Sequence, residues 1–183
     1  GYQSADISAT ISHNNKFFGA AAVGDVAVFA PLDADAVGTV DVATNTFNLV
    51  DISATISYNN KFRGAAAVGG LVVFAPFNAD GVGTFDVAAN TFNLVDISAT
   101  ISHDAKFLGA AAVGNLVVFA PCNAAGVGLF DTSTATFSLV DISATVSGTW
   151  KFTGAGAARD VVVFAPLNLS LIPPLPLPPT PGV

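Results

Sequence analysis

Few side chains in this sequence could do chemistry, and they do not form a recognisable catalytic set. The two histidines, His13 and His103, stand 90 residues apart, so exposed loop positions are a plainer interpretation than a pair of metal ligands. The one cysteine, Cys122, has no histidine or other base beside it, which favours a small buried side chain over a nucleophile. We expect no catalytic residue, no metal and no cofactor, and we expect that the protein is not an enzyme.

The pattern of charged residues favours a structural role over a catalytic or metal-binding one. Asp33 and Asp35 offer two carboxylates in one loop, fewer oxygen ligands than a calcium loop supplies. A lysine and an aspartate each recur every 45 residues, at Lys16, Lys61, Lys106 and Lys151 and at Asp6, Asp51, Asp96 and Asp141. A charge kept in every repeat indicates structural pairing or turn capping, and a ring of lysines that binds an anion is the alternative.

The composition excludes several classes of protein. Hydrophobic residues make up 52% of the 183 residues and charged residues 10%, so the chain is not intrinsically disordered. The net charge of −7 argues against a nucleic-acid partner, because phosphate contacts need a basic surface. The longest apolar run, residues 64–77, is shorter than the roughly twenty residues of a membrane-spanning helix. A single cysteine excludes an internal disulfide framework.

The 45-residue interval belongs to an internal repeat. The motif Asp-Ile-Ser-Ala-Thr begins at residues 6, 51, 96 and 141, which defines units 6–50, 51–95, 96–140 and 141–166. This period, with plentiful Val, Thr, Phe and Gly and no 3.6-residue apolar rhythm, predicts β-propeller blades rather than helical repeats. The predicted fold class is therefore all-β, with a four-blade propeller domain over residues 1–166.

One unit is predicted to contain four short strands. In the second unit these strands cover residues 62–68, 71–75, 83–87 and 92–97. Gly69 and Gly70 fall between two apolar runs, as in a two-residue hairpin turn. The first strand is rich in Gly and Ala and fits the crowded centre of a propeller. The bulky Phe74, Phe85 and Phe92 can fill the wedge between neighbouring blades, which must stack to bury their faces.

The second unit resembles the kelch-type blade. The resemblance rests on the small residues 64–67, the glycine turn, the apolar strand, the Phe85-Asp86 pair and the aromatic Phe92 that opens the last strand. The double glycine that normally ends the second kelch strand is replaced by Ala75 and Pro76. The repeat is also similar to one in predicted proteins of marine microalgae. Kelch-like propellers imply protein-interaction scaffolds most often, and some are oxidases or isomerases.

The two ends of the chain bear on how the propeller closes. Residues 3–8 align with the fourth strand of a unit and could complete the last blade, in a four-bladed ring or in part of a larger ring. Residues 167–183 hold six of the ten prolines, so we predict a polyproline II tail that is poorly suited to an inner strand. Such a tail is a stiff linker or a docking segment for an aromatic groove.

The units differ from one another mainly in loops that a propeller places on one face. The variable loops are 13–15, 58–60, 103–105 and 148–150. Loops on a rigid scaffold are common binding sites, and drift in exposed loops is the alternative interpretation. The predicted partner-binding residues are His13, Tyr58, Arg63, His103, Trp150, Pro173, Pro176 and Pro179.

These observations predict a non-catalytic scaffold or accessory subunit that binds a protein partner within a larger assembly. The resemblance suggests an algal membrane or photosynthetic complex as that assembly. The sparse charge suits a surface that a neighbour partly covers. A propeller that binds a small ligand or a carbohydrate is the alternative. Because residue 1 is glycine and methionine is absent, we expect a processed product or part of a longer protein, in an organelle lumen or secreted.

Overall fold

The computed structural model describes residues 4, 7, 8, 10–12, 14–169 and 174–176, the last three as backbone only. Every regular element in these residues is a β-strand, which confirms the predicted all-β class. Three predicted binding residues, His13, Pro173 and Pro179, lie outside the described residues, and so do residues 3, 5 and 6 of the segment 3–8. The closure of the last blade by that segment stays a prediction. The described part contains no helix that is long and apolar enough to span a bilayer.

The described strands form four antiparallel sheets, and within each sheet every strand pairs with the next one along the chain. Sheet 1 consists of β1 (Phe17–Val23), β2 (Val26–Pro31), β3 (Ala36–Asp41) and β4 (Thr46–Asp51). Sheet 2 consists of β5 (Phe62–Val68), β6 (Leu71–Pro76), β7 (Gly81–Asp86) and β8 (Thr91–Asp96). Sheet 3 consists of β9 (Phe107–Val113), β10 (Leu116–Pro121), β11 (Gly126–Asp131) and β12 (Thr136–Asp141). Sheet 4 consists of β13 (Phe152–Ala158), β14 (Val161–Pro166) and β15 (Pro174–Pro176).

The predicted hairpin turn lies between the first two strands of each sheet. Gly69 has φ of 56°, a conformation that glycine adopts without steric cost and that this hairpin turn requires. The first strand of the second unit has the predicted bounds. The third strand begins at Gly81, two residues earlier than predicted, because Gly81 pairs with Asp96 at the end of β8.

The hydrophobic core lies between consecutive sheets. Val28, Ala30 and Val37 of sheet 1 pack with Phe74 and Phe85 of sheet 2, and the same layer recurs between sheets 2 and 3 and between sheets 3 and 4. Phe74 and Phe85 are almost completely buried, as expected for side chains that fill the wedge between blades. Sheets 2 and 3 therefore each pack one apolar face against the sheet before and the other against the sheet after.

The first strand of each sheet begins with a phenylalanine before its glycine and alanine residues. Phe62 opens β5 and is completely buried, with its ring centroid 5.7 Å from that of Phe74 and 6.1 Å from that of Phe92. Gly83 makes room for it, since a Cβ atom at Gly83 would lie 2.8 Å from Phe62 Cζ. The glycine in the third strand thus serves the packing of an aromatic ring.

The innermost strands meet through glycine. A Cβ atom at Gly19 would lie 2.8 Å from Gly64 Cα, one at Gly64 would lie 2.9 Å from Gly109 Cα, and one at Gly109 would lie 2.7 Å from Gly154 Cα. Real Cβ atoms do not approach backbone atoms this closely. A row of four glycines therefore sets the spacing of the sheets at the centre of the stack.

Three residues of the proline-rich segment differ from their prediction. Instead of running free as polyproline II, Pro174–Pro176 pairs with β14 in the place that a third strand takes in the other sheets. The prediction overlooked the free edge of β14, whose N–H and C=O groups need a partner strand. Proline is tolerated here because β15 is an edge strand of the described sheet, where ladder donors can come from β14.

Replacement of Gly109 by Ala tests the central glycine row. We expect a loss of about 1–3 kcal/mol in the free energy of unfolding, because the new methyl group would overlap the Gly154 backbone. Urea denaturation followed by circular dichroism measures it. The matched control is Gly156→Ala, whose Cβ position has no atom within 4 Å. Equal losses in both variants would contradict the close packing of the inner strands.

Candidate interaction face

The recurring lysines are structural. Lys61, Lys106 and Lys151 are buried, and each Nζ donates to a backbone carbonyl three residues earlier, at Tyr58, His103 and Gly148, at 2.8–2.9 Å. The pKa values of all three amines are lowered by burial. These lysines thus hold the loops that join one sheet to the next, as the structural interpretation predicted.

Asparagine and aspartate side chains link those joining loops to the preceding sheet. Asp33 Oδ1 accepts the Asn60 N–H at 2.8 Å, Asn78 Oδ1 accepts the Ala105 N–H at 2.9 Å, and Asn123 Oδ1 accepts the Trp150 N–H at 3.0 Å. The loops after the second strands and the loops before the first strands therefore lie on the same face of the stack. We call this face, formed by the loops 33–35, 58–60, 78–80, 103–105, 123–125 and 148–150, the loop face.

The recurring aspartates cap turns. Asp51, Asp96 and Asp141 each accept the backbone N–H of the serine two residues later at 2.8 Å. This hydrogen bond favours the ionised carboxylate and holds the pKa of each aspartate below its usual value of 3.8. The capping interpretation of the sequence is confirmed at these three positions.

The capping aspartates predict how stability depends on pH. Because the native pKa of each aspartate lies below its unfolded value, the unfolded chain binds more protons than the native chain in acid. The three carboxylates therefore contribute to the free energy of unfolding above pH 3.8, and this contribution is lost as the pH falls through the native pKa. In a triple variant with Asp51→Asn, Asp96→Asn and Asp141→Asn the caps can persist without titrating. We expect the free energy of unfolding of this variant to fall less steeply than that of the native chain between pH about 5 and about 2. Parallel curves would contradict the capping role.

An aromatic and cationic row lies beside the loop face. Arg63 Cζ is 4.0 Å from the ring centroid of Phe77 and 5.2 Å from that of Phe18, and the rings of Phe77 and Trp150 are 6.2 Å apart. Arg63 also donates to Asn60 Oδ1 at 3.0 Å, and its Nε is buried without a hydrogen-bond partner. Burial lowers the pKa of the guanidinium. We call Phe18, Arg63, Phe77 and Trp150 the aromatic row.

Exposure within the aromatic row is graded. Phe18 and Trp150 are 45% and 39% exposed, whereas Phe77 is 5% exposed and supports both Arg63 and Trp150 from below. The row thus presents two accessible apolar rings on either side of a partly buried cation. Such a surface can accept an aromatic or planar group by stacking and cation–π contact.

Trp150 adopts a backbone conformation that is costly for its type. Its φ is +53°, in the left-handed region, and the equivalent positions in earlier units are Asn15, Asn60 and Ala105. Asparagine tolerates this region, whereas a bulky residue there costs roughly 1–2 kcal/mol. Tryptophan therefore stands where the first two units have a residue that fits the backbone better.

Two other predicted residues make separate contacts on the loop face. Tyr58 is 44% exposed and its hydroxyl accepts the Asp80 N–H at 3.1 Å, while partial burial raises its pKa. His103 is exposed, and its Nδ1 lies 2.9 Å from the Asp104 carbonyl oxygen. The structure therefore brings Arg63 and Trp150 together through Phe77 and places Tyr58 and His103 in the neighbouring loops. Pro176 lies in β15, opposite Val161.

Cys122 is the small buried side chain that the sequence favours. It is completely buried and packs with Phe77, Ala105 and Leu108. Burial raises the pKa of its thiol, which disfavours the thiolate that a nucleophile requires. Within the described residues no three histidine, cysteine or acidic side chains are grouped as metal ligands. Asp33 and Asp35 are occupied with Asn60 and Lys61.

A shallow groove runs along the centre of the stack. Its volume is about 260 Å³, and the first strands of all four sheets contribute to its wall, including Gly19, Gly64, Gly109 and Gly154. Ligand pockets usually enclose about 300–1,000 Å³ and carry convergent polar side chains. Among the described residues that line this groove, Thr153 is the only one with a polar side chain.

Comparison with solved structures identifies the architecture. The computationally designed Ika4 protein is similar with a TM-score of 0.66 and 14% identity, over 91% of this chain and 94% of that one. The WD40 repeats of RRP9 are similar with a TM-score of 0.61 and 10% identity, over 85% of this chain and 46% of that one. WD40 repeats form propeller blades. The fold is a β-propeller.

Hydrazine synthase of Kuenenia stuttgartiensis is also similar, with a TM-score of 0.63 and 12% identity over 90% of this chain and 45% of that one. The propeller described here therefore spans less than half of two of these three structures. At such identities the likeness shows the fold alone. No protein-family model matches the sequence, and no curated protein matches it.

Phe18 and Phe77 belong to the aromatic row but are not among the predicted partner-binding residues. Both occupy positions that vary between units: Phe18 is replaced by Arg63, Leu108 and Thr153, and Phe77 is replaced by Leu32, Cys122 and Leu167. The sequence does show variation at both positions. That variation indicates a shared surface only when the stacking of consecutive sheets shows that the two positions are neighbours.

Proposed function

We propose that this propeller is a non-catalytic scaffold that binds a protein partner through the loop face and the adjacent aromatic row. The carrying observation is Trp150, which is exposed, joined to Phe77 and held at positive φ. Tryptophan, arginine and tyrosine are the residues that most often dominate the energy of protein interfaces. All three types occur on or beside this face, in Trp150, Arg63 and Tyr58.

The backbone cost at Trp150 supports a functional reason for the residue. Costly conformations persist where the surrounding structure enforces them, and they cluster at sites that bind. Asn15 and Asn60 show that the same turn forms in this chain with a residue that tolerates the conformation. The exposed indole therefore contributes something other than the stability of its own turn.

The central groove itself gives little support to a small-ligand or carbohydrate function. At about 260 Å³ it is smaller than most ligand pockets, and glycine and alanine line most of it. A broad face with two exposed rings suits a protein surface better than an enclosed ligand. The kelch-like pattern favours the same scaffold role, with a partner in a larger assembly such as an algal membrane complex.

The proline-rich segment is proposed as a second attachment. Pro174–Pro176 of this segment pairs with β14 of sheet 4. When two contacts are linked in one chain, formation of the first raises the effective concentration for the second. Tight binding of the partner then does not require a strong single site. In this proposal Pro179 belongs to the docking part, and Pro176 belongs to the strand that anchors it.

Replacement of Trp150 by Asn separates binding from stability. Asparagine relieves the backbone strain at positive φ, which is worth about 1 kcal/mol. This gain should offset the loss of the ring contact with Phe77, which is worth about 0.5–1.5 kcal/mol. We therefore expect an unfolding midpoint close to that of the native chain. Affinity capture of partners from the native source, quantified by mass spectrometry, should show a protein that the native chain retains and the variant loses.

The matched control is Val140→Ala, which removes an exposed apolar side chain from β12, a strand far along the sheet from the innermost one. This variant should retain the same partner as the native chain. Retention of that partner by Trp150→Asn at unchanged affinity would overturn the proposed contact face. Retention of a glycan and of no protein would favour the ligand-binding alternative.

A further inference from the structure

Sheet 4 leaves open a face that the other sheets bury. Val163 is 39% exposed, whereas Val28, Val73 and Val118 at the same position are completely buried. Leu167 is 48% exposed, whereas its counterparts Leu32, Phe77 and Cys122 are at most 5% exposed. Ala165 follows the same rule, since it is exposed and its three counterparts are buried. This face is apolar and has the composition of an inter-sheet core.

Sheet 1 has the complementary open face. Phe17 and Phe29 are only partly buried, whereas the equivalent phenylalanines of sheets 2, 3 and 4 are completely buried against the preceding sheet. Lys16 is likewise half-buried, although Lys61, Lys106 and Lys151 are at most 1% exposed. These are the side chains that a preceding sheet covers at every internal junction.

Two further features of sheet 4 match what the internal junctions use. A Cβ atom at Gly154 would meet nothing within 4 Å, whereas the three earlier glycines of the row each face the glycine of the next sheet. Asn168 keeps the side-chain type of Asn78 and Asn123, whose Oδ1 atoms accept an N–H from the loop before the next sheet. Asn15 has φ of 50°, close to the values of 53–59° at the three residues whose N–H groups are bound in this way.

We propose that the open face of sheet 4 packs against the open face of sheet 1 of a second copy of this chain. The contact would repeat the three internal junctions, with Val163 and Ala165 covering Phe17 and Phe29, and Gly154 facing Gly19. The Leu167 carbonyl would accept the Lys16 N–H, as the Leu32, Phe77 and Cys122 carbonyls accept those of the next lysines at 2.8–3.1 Å. Such a head-to-tail contact generates a closed ring or an open polymer.

The same geometry argues against closure within one chain. If sheet 4 packed on sheet 1 of its own chain, a Cβ atom at Gly154 would meet Gly19, as the Cβ position of Gly109 meets Gly154. Its surroundings are empty instead, and Val163 and Leu167 stay exposed. In the proposed contact, the open face of sheet 4 in one copy meets the open face of sheet 1 in another copy.

Sedimentation velocity of the 183-residue chain over a range of concentrations tests the proposal. We expect species of at least twice the monomer mass. Gly154→Ala should weaken association at least about tenfold, because its methyl group is accommodated in the single chain and would overlap Gly19 of the second copy. Val163→Asp should do the same, because it places a carboxylate in the new core.

The control is Gly156→Ala, whose Cβ position is also empty and which lies two residues further along β13. It should assemble like the native chain, and circular dichroism should show that all three variants fold. A native chain that stays monomeric at every concentration would overturn the proposal. So would an assembly that neither Gly154→Ala nor Val163→Asp weakens, since it would use another surface. Neither result bears on Trp150.

Discussion

Face-to-face packing of consecutive sheets is the interaction on which the rest of this structure depends. A sheet of four short strands, without a helix to cover it, cannot bury both of its faces alone. Here the valine and alanine face of one sheet covers the phenylalanine face of the next, and glycine meets glycine at the centre. The close approach of the inner strands is what lets the large rings further out fill the space between sheets.

The buried polar residues stabilise the loops that join the sheets of this stack. The buried lysines hold the joining loops by their carbonyl groups, and Asp33, Asn78 and Asn123 tie each joining loop to the sheet before it. The loops are thereby fixed while their remaining side chains are free to vary. That arrangement explains how a repeat with nearly constant strands can carry a face with different side chains at each blade.

The sequence predicted those parts of the fold that the 45-residue repeat itself encodes. The blade architecture, the glycine hairpin turns and the bounds of β5 all follow from spacing and turn chemistry within one unit. The pairing of Pro174–Pro176 with β14 did not follow, because the need of a free strand edge for a partner outweighed the poor strand propensity of proline. The contact of Phe77 with Trp150 was also beyond sequence reasoning, because it joins the second and fourth units and depends on the curvature of the stack.

Hydrogen exchange of the native chain at increasing denaturant tests the dependence on sheet stacking most directly. If no sheet is stable without its neighbours, the slowest amides of β6 and β10 should share one opening free energy, equal to that of global unfolding. They should also share one dependence on denaturant. Separate opening free energies for these two strands, each well below the global value, would contradict the account, because sheets 2 and 3 would then open independently of each other.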